Sequence, residues 1–516
     1  MDFDVLIRGG RVVSGEKNAV PVAADVGIKD GQIVTVERLE QVNAARVIGA
    51  DGMIVAPGFI DVHVHSEIAL LGGRHRYAGL FQGVTAQLTA PDGFGWAPLT
   101  GQLAQDLWDT TAFSTGIDTD KNHMGVDTSS LEGYLDSFTG KLPANLVLQV
   151  PHCAVRVEAM GWEPRAATPD ELGRMKCRVE DWLDAGAVSL CLGLDYQPSA
   201  FATTHELVEL AKVAAAHDGI YAAHIRYNSL GRAGAWLETL EIARQANLPV
   251  HVSHEYVDEL SAPMLDADED ISFESYLYPA GCTHLAMTLP VWAQRGGSAG
   301  LRERLTDWAF RFEVEAWLER YVAAAYARGE RFVFVDTPSG RYLGLDFAEA
   351  ARSEDLSPGA FGLKVLTEEY PYATMIFHRA VTPGSWERVR KQTLAHPNMM
   401  VASDGIYTGE YGHPRGYACF ARVLAMVREE KTVSLPEAVY KMSGFPAERF
   451  GIKDRGFLKP GMAADVVIFD PETVKAHATW SEPHLTPTGI PFVLVNGEIV
   501  IDNGRATDAL PGKVVR

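Results

Sequence analysis

Cysteine is scarce and unpaired in this chain. Cys153, Cys177, Cys191, Cys282 and Cys419 are scattered through 516 residues with no C-x-x-C pair, which argues against a disulfide framework or a cysteine-rich zinc site. Basic residues are outnumbered, 46 to 67, for a net charge of −21. That balance argues against a nucleic acid or an anionic membrane as partner. No apolar run is long enough to span a bilayer, and the acidic start Asp2-Phe3-Asp4 lacks the features of a secretory leader. A cytoplasmic enzyme is the expectation. The length and the ordinary hydrophobic fraction of 47% suit a large barrel with attachments.

The stretch Pro57-Gly58-Phe59-Ile60-Asp61-Val62-His63-Val64-His65-Ser66-Glu67 organises the rest. On a strand, residues i and i+2 face the same side, so His63 and His65 present two imidazoles to one point. A metal ion is the usual binder of such a pair. The plainer alternative is a strand end with two solvated histidines. The choice depends on whether the chain supplies further ligands.

Residues 3–57 read as short strands separated by the turn signals Gly9-Gly10, Asp30-Gly31 and Asp51-Gly52. Asp465–Phe469, Phe492–Val495 and Glu498–Ile501 share that texture, with Asn496-Gly497 as a turn. One small β-sandwich built from both termini (1–57 and 456–516) is expected; two unrelated β tails are the alternative. Between them, 58–455 alternates strand-like and helix-like runs, the pattern of a (β/α)8 TIM-like barrel. The expected strands are the opening stretch, Val84–Thr89, Leu146–Val150, Val188–Leu192, Ile220–Ile225, Pro249–Ser253, Ile271–Tyr278 and Met399–Ser403. Capping boxes are expected at Thr168–Glu171, Thr203–Glu206 and Ser434–Glu437. About 285–346 is too long for a barrel connection and reads as an inserted helical lid or side wall.

Barrel enzymes carry their chemistry at the C-terminal ends of strands. Those ends supply His63, His65, Asp92, His152, His224, His254 and Asp404. Such nitrogen and oxygen donors suit a divalent metal of the zinc type. Singly, His254 reads as a structural histidine and Ser403-Asp404-Gly405 as a turn; their recurrence at successive strand ends is the specific signal.

With these motifs in place, the chain resembles the metal-dependent amidohydrolases, and within them the N-acyl-D-amino-acid deacylases. The resemblance runs through Pro57–His65, Gly83-Val84-Thr85, His224-Ile225-Arg226, Val252-Ser253-His254, Ala402-Ser403-Asp404-Gly405 and His413-Pro414-Arg415-Gly416-Tyr417. It implies one metal site from His63, His65 and Asp404 and a second from His224 and His254, holding one or two divalent ions, zinc by expectation. Asp92 stands where the deacylases usually have a bridging cysteine, and a carboxylate is a harder ligand. Val188–Tyr196 contains no lysine, so the carboxylated lysine of other superfamily members is not available there.

A second departure concerns substrate. The resemblance implies His-Lys after strand six, yet Glu255 and Tyr256 follow His254. An acidic residue there repels a carboxylate unless it is turned away or neutralised. Tyr278, His378, Arg379 and His152 are further candidate contacts. Arg226 is read as an anion anchor or, equally, as a support behind the site. The expected reaction is hydrolysis of a small-molecule amide, with Asp404 as general base and then acid. Three readings stay open: an N-acyl-D-amino acid deacylase, a hydrolase of neutral or cyclic amides, and a non-catalytic binding protein. Self-association is also left open.

Overall fold

The computed structural model describes residues 2–115, 123–267, 269–371 and 373–516. Both ends of the chain enter one nine-stranded sheet. Its order is Arg505–Ala506, Glu498–Asp502, Phe492–Val495, Val466–Phe469, Ile54–Pro57, Phe3–Val12, Val22–Lys29 and Gln32–Glu37, with Ala44–Gly49 paired to Phe3–Val12. The halves join where Val466 opposes Pro57 in an antiparallel pair. Gly9-Gly10, expected as a turn, is a bulge within the Phe3–Val12 strand: the register shifts between Ile7 and Gly10, and Gly9 has φ 75°. The chain continues on the same partner strand because the Gly9 N–H donates to Asp25 Oδ1 at 2.9 Å.

The middle of the chain is α/β. Phe59–Asp61, Val84–Leu88 and Asn145–Val147 pair in parallel. Val150–Pro151, Ser189–Gly193, Ile220–His224, Val250–Val252, Ile271–Ser275 and Met399–Val401 form a six-stranded parallel sheet in chain order. The last of these leads back to the first stretch: Gly405–Ile406 pairs in parallel with Val64–His65, and the Asp404 N–H donates to the His63 carbonyl at 2.8 Å. Val84–Leu88, Ser189–Gly193, Ile220–His224 and Ile271–Ser275 are buried at every residue. Both faces of these strands are covered, which is why they read as apolar runs without alternation.

Helices pack outside. Pro169–Asp184 starts with the expected reciprocal capping box of Thr168 and Glu171 and buries Met175, Val179, Trp182 and Leu183. The other two boxes are half made. Thr203 and Ser434 accept from the N–H groups of Glu206 and Glu437, but neither glutamate reaches back. The Glu206 carboxylate turns inward to Arg156 instead, at 3.0 Å. No helix among the described residues is long and apolar enough to cross a membrane.

The segment expected to be helical is mixed. Besides the helices Gly297–Arg304 and Trp308–Ala327, a three-stranded antiparallel sheet runs Ala280–His284, Thr374–His378, Arg331–Asp336. Leu318, Phe332, Phe334 and Phe361 anchor a separate apolar core there. The pairing of Arg331–Asp336 with Thr374–His378 joins strands far apart in sequence, so local pattern alone did not reveal it.

One buried polar knot ties the terminal sheet to the parallel strands. Asp465 Oδ2 accepts from Arg455 Nη1 at 2.5 Å and from Asn145 Nδ2 at 3.0 Å, and its Oδ1 accepts the Asn496 N–H at 2.7 Å. Replacing Asp465 by Asn leaves the buried Arg455 charge short of its partner. The expected loss is about 3 kcal/mol, read as a shift of the first urea-unfolding transition.

Candidate metal centre

Parallel strands in sequential register bring their C-terminal ends to one side of the sheet. There the structure gathers His63, His65, Asp92, His254 and Asp404. Ligand atoms of His63, His65 and Asp404 lie within 4.8 Å of one another, as do those of His63, Asp92 and His254. His63 belongs to both groups. His224 stands at the edge, its Nδ1 3.0 Å from His254 Nε2 and 3.8 Å from Asp92 Oδ1.

Three of these residues sit on strained backbone: φ is 55° at Asp92, 41° at His254 and 45° at Asp404. Such conformations cost about 1–3 kcal/mol each and persist only where surrounding contacts impose them. For Asp92 the contacts are visible. Glu67 Oε1 accepts the N–H of Ala90, itself at φ 54°, at 2.5 Å. Gly193 lets the loop approach, since a Cβ there would meet the Asp92 carbonyl at 2.6 Å.

The residues fit a divalent cation. His63 Nε2 and Asp92 Oδ1 are buried, 3.7 Å apart, and neither has a hydrogen-bond partner. Orphaned buried polar atoms cost about 1–3 kcal/mol each, and a cation relieves both. The surrounding histidine nitrogens and carboxylate oxygens are the donor types of zinc sites. Burial opposes a charge on His63, but Asp92, Glu274 and Asp404 outweigh it and raise the imidazole to about 10. Burial likewise opposes the Asp92 carboxylate, yet His63 and its neighbours hold it well below the ordinary range.

A second layer of groups orients these side chains. Glu274 Oε1 lies 3.0 Å from His63 Nδ1 and accepts the His254 N–H at 2.8 Å, while its Oε2 lies 2.8 Å from His251 Nε2. Asp195 Oδ2 lies 3.0 Å from His224 Nε2 and leaves Nδ1 to face the centre. Arg415 Nη1 lies 2.8 Å from Asp404 Oδ2. Burial raises the Asp404 carboxyl, but Arg415 and the imidazoles outweigh it and hold it below its usual value.

The centre opens into a cavity of about 370 Å³. Of the expected substrate contacts, Glu255, His378 and Arg379 line it, together with Tyr196, Tyr227, Arg232 and Cys282. The others lie elsewhere. The His152 ring is fully buried, with Nδ1 2.7 Å from Ser199 Oγ and Nε2 3.5 Å from Glu206. The Arg226 guanidinium donates to Glu238 and to the carbonyls of Ala200 and Ala202, the supporting role rather than an anion anchor. Tyr256 turns its hydroxyl to the Tyr278 carbonyl at 3.0 Å. Tyr278 faces a different groove with Trp386 and Trp480. His152, Arg226 and Tyr256 follow strand ends and Tyr278 lies beyond Ser275, where the expected strand has already ended; past a strand end the two-residue alternation no longer fixes which way a side chain points.

Comparison with known proteins gives the family. The model of the amidohydrolase family matches residues 46–354 and 380–501. The chain belongs to the amidohydrolase family. D-aminoacylase of Alcaligenes xylosoxydans xylosoxydans is 30% identical over 99% of this chain and 97% of its own. N-acyl-D-glutamate deacylase of the same organism is also 30% identical, over 100% and 96%. The crystal structure of N-acyl-D-glutamate deacylase from Bordetella bronchiseptica, complexed with zinc and a phosphonate mimic of the tetrahedral intermediate, superposes with a TM-score of 0.80. It is 29% identical and covers 100% of both chains.

For an amidohydrolase, the residues that sequence reasoning missed are the orienting ones. Asp195 follows the Ser189–Gly193 strand, so the strand-end rule that found Asp92 reaches it too. Glu274 is a lone carboxylate inside a buried strand, a signal of pairing that was readable. Arg232 comes from a helix kinked at Gly231, φ 67°, and nothing local marks it. Glu274→Gln is expected to weaken divalent-metal affinity by about 10–100-fold, measured by competition with a chromophoric chelator.

Proposed function

We propose that this amidohydrolase removes the acyl group from N-acyl-D-amino acids, using divalent metal, zinc foremost. The observation that carries the reading is the convergence of His63, His65, Asp92, His254 and Asp404 around two orphaned buried atoms. Similarity over the full chain to D-aminoacylase and to a zinc-containing deacylase supports it. The parallel pairings that lead from Phe59–Asp61 round to Gly405–Ile406 support a closed (β/α)8 barrel over 58–455. The shared terminal sheet supports one small β-sandwich domain from 1–57 and 456–516. Met287, Thr288, Tyr321, Glu330 and Phe332 line the cavity, which supports a side wall or lid built from about 285–346.

In this reading His63, His65, Asp92, His224, His254 and Asp404 hold the metal. The bound cation supplies Lewis acidity, acidifying water and polarising the scissile carbonyl. Asp404 divides its oxygens. Arg415 occupies Oδ2, and Oδ1 faces His63 and His65 at 3.7 and 3.6 Å. The Asp404 carboxylate takes the proton of the attacking water and returns it to the leaving nitrogen. One carboxylate serves both steps because the first step gives it the proton the second requires.

The acidic Glu255 does not stand against a carboxylate substrate. Its Oε1 pairs with Arg232 Nη2 at 2.5 Å and its Oε2 accepts from Trp236 Nε1 at 2.9 Å. That removes the motive for a neutral or cyclic amide. Arg379 lines the cavity with its guanidinium over the Tyr256 ring at 4.4 Å, a cation placed to hold the substrate carboxylate. Asp404→Asn is expected to keep bound metal, by elemental analysis, and to lose at least about a thousandfold in kcat. Near-normal turnover would refute its role. Arg379→Met is expected to raise KM about tenfold or more while moving kcat less.

A further inference from the structure

Of two relatives at the same 30% identity, one is named for glutamate and the other for no particular amino acid, so similarity does not fix the side chain. The charges of the cavity do. Among the described residues that line it, Arg232 and Arg379 supply the only arginine or lysine cations. Arg232 is already engaged. Its Nη2 donates to Glu255 Oε1 at 2.5 Å and to the Tyr256 carbonyl at 3.1 Å, its Nε to Glu255 Oε2 at 3.3 Å, and its Nη1 to Asp258. One guanidinium facing two carboxylates has no charge left over for a substrate anion. Arg379, stacked on Tyr256, has no carboxylate within ion-pair distance among the described residues.

The rest of the lining adds no arginine or lysine: it is apolar, acidic or uncharged polar (Asn228, Thr283, Thr288), with His378 as an imidazole. Met287, Tyr321, Phe332 and Phe377 form one wall, with the Phe332 and Phe377 rings 4.8 Å apart. The charged group beside that wall is Glu330, paired with the exposed Arg328 at 2.9 Å.

We propose that the cavity accepts one carboxylate only: Arg379 holds the α-carboxylate, and the amino-acid side chain is uncharged and apolar, packed on Met287, Tyr321, Phe332 and Phe377. The inference rests on the deacylase reading above and sharpens it. A glutamyl or aspartyl side chain brings a second anion for which the described lining holds no uncommitted arginine or lysine, since Arg232 is engaged by Glu255 and Asp258 and Arg379 holds the α-carboxylate. An apolar side chain gains about fourfold in kcat/KM for each methylene it buries.

The test is kcat/KM of the metal-loaded enzyme for N-acetyl-D-leucine and N-acetyl-D-phenylalanine against N-acetyl-D-glutamate and N-acetyl-D-aspartate. Calorimetric binding of the same compounds to the Asp404→Asn variant gives a second readout. The expected preference is about 100-fold for the uncharged pair. A preference under about tenfold, or one for the acidic pair, overturns the inference while leaving the deacylase reading intact. Absence of turnover and of binding for all four overturns both. Met287→Arg adds a cation to the wall and is expected to cut the leucine-to-glutamate ratio at least tenfold. An unchanged ratio removes the wall from the side-chain site.

Discussion

Buried charge without a native partner is the constraint on which the rest of this protein depends. Five imidazole and carboxylate side chains converge where parallel strands end, and two of their atoms, His63 Nε2 and Asp92 Oδ1, are left unpaired. Removing such groups from water is costly unless each finds a partner. The scaffold around them supplies charged neighbours to several of these side chains. Glu274 spans His63, His251 and the His254 backbone, Asp195 backs His224, and Arg415 backs Asp404. What remains open is one cluster of nitrogen and oxygen donors, the requirement that a divalent cation satisfies.

The same logic separates the residues that border the cavity from those that stand behind it. Arg226, His152 and Arg156 are polar and close to strand ends, yet their partners are Glu238, Ser199, Glu206 and backbone carbonyls. Groups held by such partners are turned away from the cavity, whose lining includes none of the three. Arg379 and the apolar wall of Met287, Tyr321, Phe332 and Phe377 are different. Their free faces border the cavity, and most of that wall comes from a segment with its own sheet and core.

Much of this was legible in residue order. The spacing of His63 and His65 on a strand puts both imidazoles on one side, and the fully buried runs with His224, His254 and Asp404 at their ends announce a parallel sheet. Local rules reach such features because a strand's two-residue period and its C-terminal end are properties of the segment itself. The Thr168–Glu171 box formed for the same reason. The Thr203–Glu206 box was completed only on one side because Arg156, fifty residues away in sequence, offers Glu206 a buried cation, a stronger partner than its own backbone.

Sequence alone, then, determined the donors, their strand ends and the chemistry those donors allow, because each follows from the identity and periodicity of neighbouring residues. Tertiary structure decided which polar groups face inward. Glu255 reads as a repulsive carboxylate until Arg232 of the preceding helix is found beside it. Tyr278 reads as a contact until its ring is found in another groove. Glu274 reads as one residue of a strand until three partners surround it. A side chain's charge is written in its codon, but its field is set by whatever the fold packs against it at 3 to 4 Å, and those neighbours come from distant parts of the chain.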